Sequence, residues 1–310
     1  MSTAQTLRAS RNSTNVRLLF ETMARRLALR TSSLVAPDFA GMWAERLFLT
    51  PPQPRYPVAE VFDLIEAHQS YLQHRGRHIA MWRWGPRDAP GVLLVHGWGG
   101  RATQMRRFVA PLVAAGFRVV AYDQPAHGLS DGRLTGLPDF ADVLEAVAQH
   151  HGGVQALVTH SLGGPAAAVA LARGLPLRRA VLVSPPSDLL GYSRRFARWL
   201  AIPERVRRRM QAAIEERFGV RWACFELERL APHLRARALV IHDTEDRQVP
   251  FHQGLRIARV WAGARMLRTR GLGHARILSN DEVVRAAAAF VSGRSQVAER
   301  AADCLPAPLY

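Results

Sequence analysis

From Gly91 onward, short apolar runs alternate with segments of helical periodicity. The runs GVLLVHG (91–97), RVVAYD (118–123), QALVTH (155–160), RAVLVSP (179–185), ARALVIHD (236–243) and ARMLRTR (264–270) have strand length. Four of them carry Val and Leu on both faces, the form strands take in a parallel sheet covered by helices. Helices are predicted between them near Thr103–Ala115, Pro138–His151, Leu162–Arg173, His252–Trp261 and Asp281–Val291. This alternation predicts an α/β fold with an open, mostly parallel central sheet and helices on both faces.

Two regions break the rhythm. Residues 1–76 read as a mostly helical N-terminal extension with a Pro-rich joint, PPQPRYP (51–57), ahead of a strand candidate at His78–Trp84. Residues 186–233 interrupt the sheet with helix-like sequence. There Val206, Met210, Ile214 and Phe218 recur every four residues between Pro203 and Gly219, giving one apolar face. The expectation is a helical lid inserted into a core that spans 77–185 and 234–293, with a frayed tail over 294–310. The Arg207-Arg208-Arg209 run is expected on the solvated side of the lid. Leu189, Leu190, Tyr192, Phe196, Trp199, Leu200 and Ile202 would line it. Tyr192, Phe196 and Trp199 are therefore candidate pocket residues for an apolar acyl or aromatic group, the alternative being that they only seal the lid against the sheet.

Composition narrows the chemistry. The 310 residues are 48% apolar and 22% charged, ordinary for a chain that buries a core. Their formal net charge of +17 comes from 42 basic and 25 acidic side chains. No lysine is present, so every basic residue is arginine. Phosphate-loop ATPases, pyridoxal enzymes and Ser-Lys dyads, which all need a lysine, are excluded. Apart from the Arg207-Arg208-Arg209 run, the arginines are scattered in ones and twos, which suits an overall compositional bias and not a nucleic-acid groove. Neither nucleic acid nor an anionic membrane is expected as a partner, and nothing sets an oligomeric state.

Two cysteines, Cys224 and Cys304, supply neither a disulfide framework nor a zinc site, so a reducing cytoplasm is the expected setting. Arg8, Arg11 and Arg17 precede the first acid, Glu21. They give the N-terminus a transit-like charge without the apolar core and cleavage site of a secretory signal. The uncharged stretch 152–172 has the length of a membrane span. It contains Gln155, Thr159, His160, Ser161, Gly163, Gly164 and Pro165, which predict a buried strand running into a helix.

The chemistry gathers at strand ends. Thr159-His160-Ser161-Leu162-Gly163-Gly164 follows a strand and precedes a helix. A serine flanked by small residues there can sit on a strained turn that raises its hydroxyl above the sheet, while the N–H of Leu162 points at a developing oxyanion. Thr159 stands where G-x-S-x-G has its first glycine. Asp246 lies just past the strand ending at Asp243, and His274 follows the last strand in GLGH. Serine needs an imidazole to take its proton, and the imidazole needs a carboxylate to fix its tautomer. Asp243 and Glu245 compete for the acid role. Asp246 is preferred because Asp243 still belongs to the strand and Glu245 points elsewhere on the turn. Upstream, His96-Gly97-Trp98-Gly99-Gly100 closes another strand, and the N–H of Trp98 is the second oxyanion candidate.

Together HGWGG, DQPAHGLS, THSLGG, HDTEDRQVP and GLGH resemble the α/β-hydrolase superfamily over about Gly91–Val291. The resemblance implies that fold with a lid insertion, a Ser161-Asp246-His274 triad, an oxyanion hole from Trp98 and Leu162, and no cofactor or metal. It implies supporting roles for His96, Gly97, His160 and Gly163, with His127 also structural. Its implied activity is hydrolysis of small acyl substrates, carboxylic esters first. Acyl transfer, peptidase or C–C hydrolase chemistry on the same machinery remains open.

Competing readings are specific. Gly97 to Ala102 also spells G-x-G-x-x-A, with Asp123 where a dinucleotide-binding acid would stand. A non-catalytic binding protein on the same fold draws only on Thr159. The twelve histidines include no helical pair with a third ligand of the kind zinc requires.

Overall fold

The computed structural model describes residues 22–53, 64 and 66–294. Arg8, Arg11, Arg17, residues 54–57 of the Pro-rich joint, Cys304 and the tail from 295 lie outside the described residues. The strands are β1 (His68–His74), β2 (Arg77–Trp84), β3 (Gly91–Val95), β4 (Arg118–Tyr122), β5 (Ala156–His160), β6 (Arg179–Val183), β7 (Arg237–Asp243) and β8 (Arg265–Thr269). They form one sheet in the order β1-β2-β4-β3-β5-β6-β7-β8. β2 pairs antiparallel with β1 and β4, and all other neighbours are parallel.

The alternation of side chains explains why these strands are apolar throughout. Ala121, Leu94, Val158, Val181 and Leu239 are aligned across five strands. They share a buried layer with Met105, Phe108 and Leu112 and with Val283, Ala287 and Phe290 of the helix Asp281–Ser292. One residue earlier, Val120, Leu93 and Leu157 face the opposite layer. Its helical side comes from Val143, Leu144 and Val147 of Leu137–His150 and from Ala167 and Ala170 of Gly163–Ala172. Each fully buried Val or Leu contributes about 1.5–3 kcal/mol, and neither face is left to solvent. The uncharged stretch 152–172 resolves into β5 and the helix after it. No helix among the described residues is long and apolar enough to cross a membrane.

Several local expectations change. β1 lies inside the stretch expected to be helical up to residue 76. It pairs with β2 through Arg75 and Gly76, both at positive φ (48° and 73°), the two-residue hairpin geometry that matches strand twist. It is an edge strand with outward-facing residues exposed, so the two-faced apolar signal is missing. The predicted helix at Thr103–Ala115 begins as a 3-10 helix, Ala102–Phe108, and becomes regular only at Val109–Ala114. Pro111 is tolerated there because it falls in the first turn of the regular helix.

The third change concerns the insertion. Two compact units divide the chain: residues up to Leu49 with Leu189–Trp222, and Thr50–Asp188 with the residues from Ala223 onward. The expected lid, 186–233, therefore returns its last segment to the sheet unit. There Glu228, in the short helix Leu227–Leu230, pairs with Arg256 at 3.0 Å.

In the helical unit, Pro37–Leu49 packs on Glu204–Phe218. Gly41 permits the approach, since a Cβ there would lie 2.7 Å from the Cβ of Arg209. Gly219 ends the second helix at φ +64°. The arginine run does not form one solvated face. Arg207 is buried against Glu204, Ser193 and Gln211, whereas Arg208 and Arg209 are exposed, Arg209 pairing with Asp38.

In the sheet unit, β5 and β6 end alike. Ser161 and Ser184 follow them, both at φ +50°. The Ser161 N–H donates to the Val183 carbonyl at 2.9 Å, and the Ser184 N–H to that of Ile241 at 2.8 Å.

Candidate active site

The turn after β5 is built from backbone strain and absent side chains. Ser161 occupies the left-handed region, where a non-glycine residue costs of order 1–3 kcal/mol. The bond to Val183 holds its N–H, and Gly164 N–H donates to its carbonyl at 2.9 Å. A Cβ on Gly97 would lie 2.7 Å from the Ser161 Cβ, and one on Gly163 would lie 2.8 Å from the Val95 carbonyl oxygen. Both glycines are thus required by close approach. Thr159 does not crowd the turn. It is fully buried, and its hydroxyl donates to the Val181 carbonyl on the neighbouring strand at 3.2 Å.

On the far side of the sheet ends, His274 Nδ1 donates to Asp246 Oδ2 at 2.7 Å. Asp246 Oδ1 accepts the N–H groups of Gln248 and Val249 at 2.8 and 2.9 Å. Burial alone would raise the Asp246 pKa. The bonds from His274 and these amides outweigh it and hold the carboxyl below its ordinary value.

The other two acids do different work. Asp243 is fully buried and accepts from the Thr269 hydroxyl at 2.8 Å, Leu272 N–H at 3.0 Å and Glu245 N–H at 3.0 Å, fastening the loop that leads to His274. Glu245 turns outward to Arg270. His160 Nε2 donates to the His274 carbonyl at 3.0 Å, and the two ring centroids are 4.6 Å apart. His274 is therefore anchored to the residue adjoining Ser161. Burial lowers the His160 pKa to about 3, so this ring is a neutral donor.

Leu162 immediately precedes the helix Gly163–Ala172, and its N–H has no hydrogen-bond acceptor among the described residues. The same is true of the N–H of Trp98. The loop carrying Trp98 is cross-linked to residues 123–130. His96 accepts from Gln124 N–H at Nε2 and donates from Nδ1 to the Gly97 carbonyl. Burial pushes its pKa well below the ordinary value. Asp123, at the end of β4, is buried and accepts from Ala102 N–H at 2.7 Å and Leu129 N–H at 2.8 Å.

This disposes of the dinucleotide reading. The acid is consumed by main-chain donors, and the glycine loop leads into a 3-10 helix in place of the α-helix that a pyrophosphate would need. The motif DQPAHGLS marked this segment, but not the hydrogen bonds by which Asp123 and His127 tie it to the main chain at Ala102 and Gly99.

The candidate pocket residues belong to the helical unit. Tyr192 and Phe196 set their rings edge-on to Phe48 at 5.9 and 5.0 Å. Trp199 is 51% exposed, with its carbonyl accepting from Arg26. Among the described residues no three His, Cys, Asp or Glu side chains group as a metal would need.

A family model described as the alpha/beta hydrolase family matches residues 92–287. A bifunctional esterase/perhydrolase of Acinetobacter calcoaceticus is 38% identical over 112 residues, 34% of this chain and 41% of that one. A non-heme chloroperoxidase of Streptomyces lividans is 37% identical over 117 residues, 35% of this chain and 41% of that one. The chain thus spans 41% of the length of these curated relatives. Among solved structures, an esterase of Pyrococcus furiosus aligns with a TM-score of 0.60 at 18% identity, covering 79% of this chain and 97% of that chain.

Proposed function

Since the chain belongs to the alpha/beta hydrolase family, we propose that it is a serine hydrolase of carboxylic esters or related acyl substrates working through Ser161, His274 and Asp246. The observation that carries this reading is the 2.7 Å bond from His274 Nδ1 to Asp246. That bond puts the proton on Nδ1 and leaves Nε2 basic.

Ser161 Oγ forms a bond to the acyl carbon while its proton passes to His274 Nε2, and Asp246 stabilises the resulting imidazolium. The negative charge on the former carbonyl oxygen is met by the N–H groups of Trp98 and Leu162. Collapse breaks the ester C–O bond, and His274 returns the proton to the leaving alkoxide. Water then attacks the acyl-enzyme, giving its proton to His274, and the acid leaves as Ser161 regains its hydrogen. The name of the Acinetobacter relative supports one variant, in which hydrogen peroxide replaces water as the acyl acceptor. The paucity of cysteine suits a reducing compartment such as the cytoplasm.

A fluorophosphonate probe tests the proposal. Wild-type protein labels and Ser161→Ala does not, and ester turnover falls by about four to six orders of magnitude in the variant. Equal labelling of the two refutes the nucleophile. A p-nitrophenyl ester series then defines the acyl length preferred.

A further inference from the structure

We propose that His96 and His127 form a reciprocal clamp that sets the direction of the Trp98 N–H, making His127 a positioning residue for the oxyanion hole; the inference rests on the serine-hydrolase reading above. The N–H of Trp98 belongs to the same planar trans peptide as the carbonyl of Gly97, so the two groups point in opposite directions. Holding one end aims the other. The Gly97 oxygen is held twice, by His96 Nδ1 at 2.7 Å and by Gly100 N–H at 3.0 Å. Accepting two bonds also polarises the amide and strengthens its N–H as a donor. Gly100 leaves room for this, since a Cβ there would lie 2.9 Å from His96 Nδ1.

The next peptide is held by the second histidine. Gly99 N–H donates to His127 Nε2 at 2.9 Å, and His127 Nδ1 donates to the Pro125 carbonyl at 2.9 Å. His96 thus reaches from the loop 96–100 to Gln124, and His127 reaches back from 123–130 to Gly99. Both imidazoles use one nitrogen as acceptor and the other as donor, which fixes each as the neutral Nδ1–H tautomer. The ring centroids lie 5.2 Å apart, and Phe140 packs against both. Trp98 stacks on the same Phe140, so its side chain and both flanking peptides are fixed together. Packing alone would be met by any ring of this size. The paired hydrogen bonds single out histidine.

Two substitutions separate the roles. His127→Phe keeps the ring and removes both bonds, and His127→Gln returns an acceptor within reach of Gly99 N–H. With the p-nitrophenyl ester that wild type turns over best, kcat of His127→Phe should fall about 10- to 100-fold, with KM within about threefold. Affinity for a trifluoromethyl ketone should fall by the same factor as kcat/KM, and His127→Gln should recover most of the loss. Unchanged kcat and ketone affinity in His127→Phe, a loss confined to KM, or equal losses in the Phe and Gln variants would each overturn the clamp. Fluorophosphonate labelling that depends on Ser161 is scored separately, so an unreactive wild-type serine removes the hydrolase reading and not the clamp alone.

Discussion

Asp243 and Asp246 lie three residues apart, and an asparagine at each should damage different properties. In Asp246→Asn, Oδ1 survives to hold the N–H groups of Gln248 and Val249, and an amide NH2 replaces the oxygen 2.7 Å from His274 Nδ1. A donor facing Nδ1 selects the tautomer protonated on Nε2, which cannot take the serine proton. The expected loss is about 10⁴ in kcat, or about 5.4 kcal/mol of transition-state stabilisation, with little change in folding stability. In Asp243→Asn, Oδ1 still accepts from Glu245 and the Thr269 hydroxyl can rotate to accept. The Leu272 N–H, 3.0 Å from Oδ2, is left facing another donor. One buried amide without an acceptor costs about 1–3 kcal/mol, and losing a charged acceptor adds to it. The chain should lose about 2–4 kcal/mol of stability, while kcat well below the melting temperature falls less than about 100-fold. Urea unfolding and ester hydrolysis at low temperature read the two effects. A 10⁴-fold rate loss in Asp243→Asn with near-full activity in Asp246→Asn would reverse the assignment of the acid.

Two further outcomes follow from buried polar groups. Burial depresses His127 to about 4 and His160 to about 3 from an ordinary 6.5, and His96 well below it. The unfolded chain therefore binds more protons than the folded one between roughly pH 4 and 6.5. Stability should be complete above pH 6.5 and fall as pH drops through that window, by up to about 1.4 kcal/mol per pH unit for each histidine; a flat urea-unfolding profile would refute this. Thr159→Val removes the 3.2 Å bond to Val181 and should cost about 0.5–1.5 kcal/mol. Its kcat should stay within about twofold of wild type, because the Ser161 turn is held by Val183; a large rate loss in a stable protein would give that hydroxyl a part in the site.

What the sequence disclosed was the part of the fold with a two-faced apolar signature. The interior parallel strands and their helices carry it, because such a sheet hides both faces, whereas β8, at the edge, keeps exposed and half-buried positions. β1 does not, since HQSYLQH is a one-sided edge strand whose place is set by the hairpin at Arg75-Gly76. Arg207 was equally hidden. Periodicity assigns it to the polar side of its helix, whereas its guanidinium is buried by partners that include Ser193, fourteen residues away. The positions of Ser161, Asp246 and His274 were readable because strand ends face one edge of an α/β sheet. The task of His127 was not, because its acceptor role toward Gly99 joins two loops 28 residues apart. In the sequence of the turn Thr159 is only a departure from G-x-S-x-G, and pairing with β6 supplies the carbonyl that takes its hydroxyl.

The serine at the end of β6 deserves comparison with its neighbour. Ser184 leaves its strand with the same left-handed backbone as Ser161 and the same kind of tether to the next strand. Its hydroxyl, however, is buried with no hydrogen-bond partner among the described residues. Two adjacent strands thus share one exit geometry, and the proposed nucleophile stands at only one of them. The sharp turn belongs to the scaffold as a repeated part. What sets Ser161 apart is the company it keeps: a glycine pressed against its Cβ and an adjoining histidine that binds the His274 carbonyl. Grafting a second reactive group onto this sheet would mean supplying those companions, since the bend is already in place.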